Sequence, residues 1–169
     1  TGSDDGWAHV TRDGAKTWEK VTPPELPEFA RISLIEASPH QNGVAYLAAN
    51  RYQLGDRKPY LFKTADFGKS WTAITSGIPA DDFLRTVRED PKRRGLYAGT
   101  EHGVYVSFND GASWQSLRLN LPDTPVHGIV VEERDLVIGT HGRGFYVLDN
   151  IGVLRQATPE LTTSNLYVF

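Results

Sequence analysis

The 169-residue chain contains no cysteine. That removes disulfides, thiolate metal sites and cysteine nucleophiles, but it leaves the compartment open, because a cytosolic protein and a secreted one with an adequate core both manage without. Methionine is absent too, so Thr1 is not a translation start and further sequence upstream is expected. No apolar run approaches the ~20 residues that a membrane-spanning helix needs. The opening Thr1-Gly2-Ser3-Asp4-Asp5-Gly6 has none of the features of a signal peptide. Charge of one sign is also missing: 18 Lys and Arg are intermixed with 21 Asp and Glu, for a net charge of −3. With no basic block to neutralise a row of phosphates, nucleic acid is not an expected partner, and neither is membrane insertion.

Turn formers and aromatics, by contrast, are plentiful. The chain has 16 Gly, 10 Pro, 4 Trp, 7 Tyr and 7 Phe and is 39% hydrophobic, which favours short strands and tight turns and an all-β fold. Three segments align when counted back from a tryptophan: Thr11-Arg12-Asp13-Gly14-Ala15-Lys16-Thr17-Trp18, Thr64-Ala65-Asp66-Phe67-Gly68-Lys69-Ser70-Trp71 and Ser107-Phe108-Asn109-Asp110-Gly111-Ala112-Ser113-Trp114. The tryptophans are 53 and then 43 residues apart, a period that suits a four-stranded propeller blade of ~40–50 residues. A second repeated element, at the end of a strand, is Gly2-Ser3-Asp4-Asp5-Gly6, Gly99-Thr100-Glu101-His102-Gly103 and Gly139-Thr140-His141-Gly142-Arg143-Gly144.

These repeats predict blades of four antiparallel strands, A to D, with the box between C and D. Residues 1–28 read as half a blade carrying strands C and D and the first box. Residues 29–82 and 83–125 read as complete blades, and 126–158 as a final blade without a box, its fourth strand sought near Val153–Thr158. Residues 159–169 are left as a tail. Three to four blades form only part of a propeller of seven or more, and an open array leaves blade faces uncovered. The missing blades are therefore expected from upstream sequence, another chain or another copy.

In each box the Asp or Asn can accept from turn N–H groups while Ser or Thr hydroxyls satisfy others. The tryptophan that follows can pack between blades. These roles account for Asp13, Trp18, Asp66, Gly68, Trp71, Asn109, Gly111 and Trp114 without a ligand. Read as a carboxylate cluster for metal or sugar chemistry, Asp13, Asp66 and Asp110 fail, because equivalent blade positions are spread around a ring. Ala15 stands where the other boxes have Gly68 and Gly111, so if that position needs a positive φ, box one should be the least regular turn.

The boxes, with the runs Ala48-Ala49-Asn50-Arg51-Tyr52, Pro59-Tyr60-Leu61-Phe62-Lys63-Thr64, Val87-Arg88-Glu89-Asp90-Pro91 and Thr140-His141-Gly142-Arg143-Gly144, resemble the Asp-box, or BNR-repeat, propellers. The nearest resemblance is to large exported bacterial proteins described as sortilin-like or BNR-repeat glycosyl hydrolases, specifically to their C-terminal blades. It implies a secreted, periplasmic or cell-surface location. It also implies that ligands meet the face built from the B–C and D–A loops, across from the boxes.

On that face Arg51, Tyr52, Arg57, Glu101, His102, His141 and Arg143 are the ligand-binding candidates, with Asn50–Pro59 expected as the longest loop. A glycosidase needs two carboxylates facing each other, for which Asp82 and Glu101 are the weak candidates, with Asp56 nearby. A sialidase-like site would need three convergent arginines and a tyrosine; Arg51, Arg57, Arg85, Arg143 and Tyr52 supply the residue types only. His9, His40, His102, His127 and His141 show no metal-ligand spacing, so neither a metal nor a cofactor is expected. The leading reading is a noncatalytic module that binds a protein, peptide or glycan. The alternatives are a xyloglucanase- or sialidase-like glycoside hydrolase whose cleft is completed by missing blades, and a structural subunit of a larger assembly.

Overall fold

The structure, a computed structural model, describes residues 1–157; the expected tail 159–169 lies outside them. The first sheet pairs β1 (His9–Val10) with β2 (Glu19–Lys20). The second has the order β3 (Arg31–Ala37), β4 (Ala45–Arg51), β5 (Asp56–Thr64), β6 (Thr72–Ala73). The third runs β7 (Leu84–Glu89), β8 (Leu96–Thr100), β9 (Val104–Ser107), β10 (Gln115–Ser116). The fourth is β11 (Val126–Val131), β12 (Leu136–Thr140), β13 (Phe145–Leu148), followed by the short helix α1 (Gly152–Gln156). Every pairing is antiparallel and joins sequence neighbours. The first strands of successive sheets, β3, β7 and β11, lie side by side, so the sheets are arranged as propeller blades around a common inner wall.

Strand period explains why this sequence stacks into blades. In β4 alternate residues point to opposite faces, and both faces are apolar. Tyr46 and Ala48 join Leu84, Leu96 and Trp114 between the second and third blades. Leu47 and Ala49 join Ala8, Ile32 and Phe62 against the half blade. A third cluster, with Tyr97, Val104, Ile129, Leu136 and Ile151, joins the third blade to the fourth. Small residues let the sheets come close: a Cβ on Gly99 would lie 2.7 Å from the Val126 carbonyl oxygen.

All three boxes form the same closed turn. In box two Gly68 N–H donates to Thr64 Oγ1 (2.8 Å), Ser70 N–H to Asp66 Oδ1 (2.9 Å) and Ser70 Oγ–H to Asp66 Oδ2 (2.6 Å). Box three repeats this with Asn109, whose Nδ2 donates to Ser113 Oγ (2.9 Å). Box one does not deviate, contrary to the expectation raised by Ala15. Ala15 N–H reaches Thr11 Oγ1 at 2.9 Å, and Asp13 accepts from the N–H and hydroxyl of Thr17 as Asp66 does from Ser70, with a further bond from Lys16 N–H. Ala15 adopts φ 69°, against 85° at both Gly68 and Gly111, so the hydrogen bonds outweigh the left-handed penalty.

The glycines answer a different need. A Cβ on Gly68 would sit 2.6 Å from Val21 Cβ, and one on Gly111 2.6 Å from Ile74 Cδ1, whereas Ala15 is exposed. The hydroxyl of Thr17 and that of Ser70, with the backbone N–H bonds behind them, hold the carboxyls of Asp13 and Asp66 down at about 2. Their stabilising contribution is present above the ordinary carboxylate value of 3.8 and is lost as the pH falls towards 2.

The tryptophans separate by position in the array. Indole Nε1 of Trp71 donates to the Val21 carbonyl and that of Trp114 to the Ile74 carbonyl, both at 2.7 Å. Trp114 is 4% exposed while Trp18 is 49% exposed, because among the described residues none takes the place against Trp18 that Val21 and Ile74 take against the other two. At the other end Phe145 (83%), Val130 and Val147 form an open apolar face. The fourth strand sought near Val153–Thr158 is not present within the described residues: Gly152–Gln156 is helix. Ile151 anchors it in the core, and Arg155 makes a two-pronged bond to the buried Asp90 (2.8 and 3.1 Å).

Candidate ligand face

Each inner strand carries a register shift at the same place. Pairing skips Ser33 between Ile32 and Leu34, Arg85 between Leu84 and Thr86, and His127 between Val126 and Gly128. A bulge re-aims the extra side chain, and Arg85 and His127 stand at the end where the B–C and D–A loops gather. The B–C connection of the second blade is shorter than expected. Tyr52–Leu54 form a 3-10 turn closed by Gly55, and β5 already begins at Asp56, so Arg57 and Lys58 belong to a strand and not to a loose loop.

Tyr52 stacks on Phe83 with ring centroids 4.7 Å apart and 12° between planes. The Arg85 guanidinium lies over both rings, at 5.2 and 4.9 Å, and that of Arg57 over Phe83 at 5.3 Å, favourable cation–π placements. Arg85 also donates twice to Glu101 Oε2, at 2.9 and 2.6 Å. Arg57 reaches His102 Nε2 at 3.3 Å, and His102 Nδ1 faces Asp123 Oδ1 at 2.9 Å. Tyr52, Arg57, Glu101 and His102 are thereby brought together on one platform, with Phe83 and Arg85 as its core.

The remaining candidates are placed differently. Arg51 turns away, donating to the Glu28 carbonyl at 3.0 Å and pairing with Asp56 at 3.7 Å. His141 packs edge-on against His127 at 5.1 Å, and Arg143 is exposed on the same rim. Asp82 is buried at 2% exposure. It accepts from Thr100 Oγ1 (2.9 Å), the Tyr105 hydroxyl (3.1 Å) and the His102 N–H (3.2 Å). Asp82 and Glu101 are thus both committed to neighbouring donors.

The charges on this face are uneven. The Asp123 carboxylate holds the His102 imidazole above its ordinary 6.5, and the pairing holds Asp123 below its own. Burial, then Arg85 and His141, push His127 below 6.5. In the neutral His102 ring with Nδ1–H donating to Asp123, Nε2 accepts from Arg57; protonation of Nε2 removes that acceptor and releases Arg57. Among the described residues no group of three or more His, Cys, Asp or Glu is placed to hold a metal ion.

Sequence reasoning passed over His127 and the buried Phe83 that supports Tyr52, and treated Arg85 only as a residue type. A signal was available: each inner strand has a polar residue directly after its first buried apolar one, in Ile32-Ser33, Leu84-Arg85 and Val126-His127.

Solved structures of similar shape are β-propellers. The xyloglucanase of glycoside hydrolase family 74 from Xanthomonas campestris superposes with a TM-score of 0.64 at 19% identity, over 90% of this chain and 25% of that one. YCF48 bound to D1 peptide gives a TM-score of 0.64 at 18% identity, over 88% of this chain and 46% of that one. The extracellular domain of a putative one-component system from B. thetaiotaomicron gives 0.59 at 19% identity, over 92% and 19%. Neither protein-family models nor curated proteins match the chain. The fold is that of partial β-propeller blades, and the chain spans less than half the length of each of these three proteins.

Proposed function

We propose that the chain is a noncatalytic module of the Asp-box, sortilin-like kind in an exported protein, which binds a protein, peptide or glycan partner through its B–C and D–A loops. The observation that carries this reading is the commitment of the carboxylates. Asp82 is buried under three donors and Glu101 is held by Arg85, so neither is poised as an acid or nucleophile. What the face offers outward is the half-buried Tyr52, backed by the buried Phe83, and the exposed Arg57 and Arg143, the two arginines in no ion pair among the described residues.

Two neighbours frame the choice: a xyloglucanase, and a propeller solved with a peptide bound. Export is supported by the box resemblance and by the extracellular neighbour, and no helix among the described residues is long and apolar enough to cross a membrane. The open faces at Trp18 and Phe145 support completion of the propeller by further blades.

Selection from a random peptide display library and from a panel of polysaccharides including xyloglucan tests the reading. Ligands selected on the wild-type chain should be lost on Tyr52→Ala and Arg57→Ala and kept on Lys69→Ala at the box end. Ligands indifferent to Tyr52 and Arg57, or release of reducing sugar from the polysaccharides, would overturn it.

A further inference from the structure

Two D–A connections of the loop face hold an apolar side chain out to solvent on a strained backbone. The turn 27–30, closed by the Ala30 N–H donating to the Pro27 carbonyl (3.2 Å), puts Phe29 at φ 59° and leaves it 65% exposed. The turn 118–121, closed by the Leu121 N–H donating to the Arg118 carbonyl (2.7 Å), puts Leu119 at φ 44° and leaves it 70% exposed. Turns of this kind normally give the left-handed position to glycine or asparagine, because a Cβ is strained there. The D–A connection that lies between these two in sequence does so: the turn 75–78 closes in the same way at 3.0 Å, with Gly77 at φ 96°.

Burial does not offset the strain, since neither side chain belongs to a buried cluster among the described residues. Nor does the open end of the array account for the exposure. Counted back from the bulge of each inner strand, Phe29 takes the position of Asp81 and Asp123, which are exposed in the next two seams. Leu119 lies in the seam of the third and fourth blades, both described. Each turn is also pinned by an arginine. Arg51 Nε donates to the Glu28 carbonyl at 3.0 Å and Arg118 Nε to the Leu121 carbonyl at 3.2 Å. A third apolar side chain, Leu54, is 57% exposed in the 3-10 turn that also carries Tyr52.

Strained backbone held firmly at an exposed position is characteristic of ligand-contacting segments, and pinning it in advance lowers the ordering cost of binding. What Phe29, Leu54 and Leu119 supply is apolar contact area. A sugar ring stacks on the flat face of an aromatic, and leucine has none, whereas the apolar side chains of a polypeptide pack on both. Charge sets no preference on this face: Arg31 and Arg57 on one side of the balance, Glu28 and Asp81 on the other, are exposed and in no ion pair among the described residues. We propose that the partner of the loop face is a polypeptide and not a glycan, docking its apolar side chains on Phe29, Leu54 and Leu119. This rests on the loop-face reading above and narrows it to one class of partner.

The test applies the random peptide library and the polysaccharide panel to the full chain and to Phe29→Gly and Leu119→Gly. Peptides selected on the wild type should be rich in large apolar residues, and each glycine variant should weaken their binding by about tenfold or more, the loss of one buried apolar side chain. Glycine relieves the left-handed strain, so the urea midpoint of both variants should be unchanged or higher. A lowered midpoint would assign these side chains to the fold and overturn the proposal. Peptides that need Tyr52 and Arg57 yet bind the glycine variants unchanged, or ligands found among the polysaccharides alone, would overturn it and leave the loop-face reading standing. Peptides lost on the glycine variants but indifferent to Tyr52 and Arg57 would support apolar docking and remove the Tyr52 platform from it. Selection of no ligand of either kind would overturn both.

Discussion

Gly111→Ala isolates what holds neighbouring blades together. The residue has φ 85°, a left-handed conformation, and a new Cβ would lie 2.6 Å from Ile74 Cδ1. The backbone alone costs an alanine about 1–2 kcal/mol. Forcing a methyl into a packed seam costs roughly a further 1–3 kcal/mol. The sum is about 2–5 kcal/mol; at about 2–4 °C per kcal/mol for a chain of this size, a loss of about 3 kcal/mol lowers Tm by roughly 6–12 °C. Gly14→Ala supplies the control: its φ of 72° is also left-handed, but no atom lies within 4 Å of the added Cβ, so only the backbone penalty applies. Urea unfolding of both variants separates the two effects. If Gly111→Ala costs no more than Gly14→Ala, the close approach of the box to the preceding blade is not what fixes glycine there.

Arg155→Leu strips the buried Asp90, 1% exposed, of its cation and leaves it one N–H donor, from Lys92 at 2.8 Å. A loss of about 3–5 kcal/mol is expected, partly recovered in the Arg155→Leu, Asp90→Asn double variant; chemical denaturation giving a neutral single variant would refute the clamp. His102 should titrate above 6.5 and His127 below it by histidine ring NMR, with Asp123→Asn lowering His102. Because the folded His102 is raised, its pairing stabilises fully below 6.5 and is lost as the pH climbs through its folded value. The reverse order of the two midpoints would refute the assigned partners.

The boxes were legible because their chemistry is local. Thr64, Asp66 and Ser70 satisfy one another within a single turn, and the Trp71 and Trp114 that follow set the blade period. The role of Ala15 was not, since glycine in the other two boxes answers the close approach of Val21 to Gly68 and of Ile74 to Gly111, each from the preceding blade. The bulges at Arg85 and His127 arise from strand pairing, which leaves only a misplaced polar residue in the apolar run. Among the described residues helix α1 follows β13 where a fourth strand was sought, and Ile151 and Leu154, three apart, find the core on one face. Glu101 looked like a free loop acid only while its partner Arg85 was assigned to a plain strand.

The most direct measurement of the noncatalytic reading is the unfolding free energy of Asp82→Asn and Glu101→Gln beside the wild type. Acids kept poised for chemistry are held at a cost in stability, so neutral isosteres at such positions leave a fold unchanged or more stable. Here Asp82 accepts three hydrogen bonds and Glu101 takes two from Arg85, so each variant is expected to lose about 1.5–3 kcal/mol. Variants as stable as the wild type, or more so, would contradict the assignment of these acids to structure and return them to the catalytic reading.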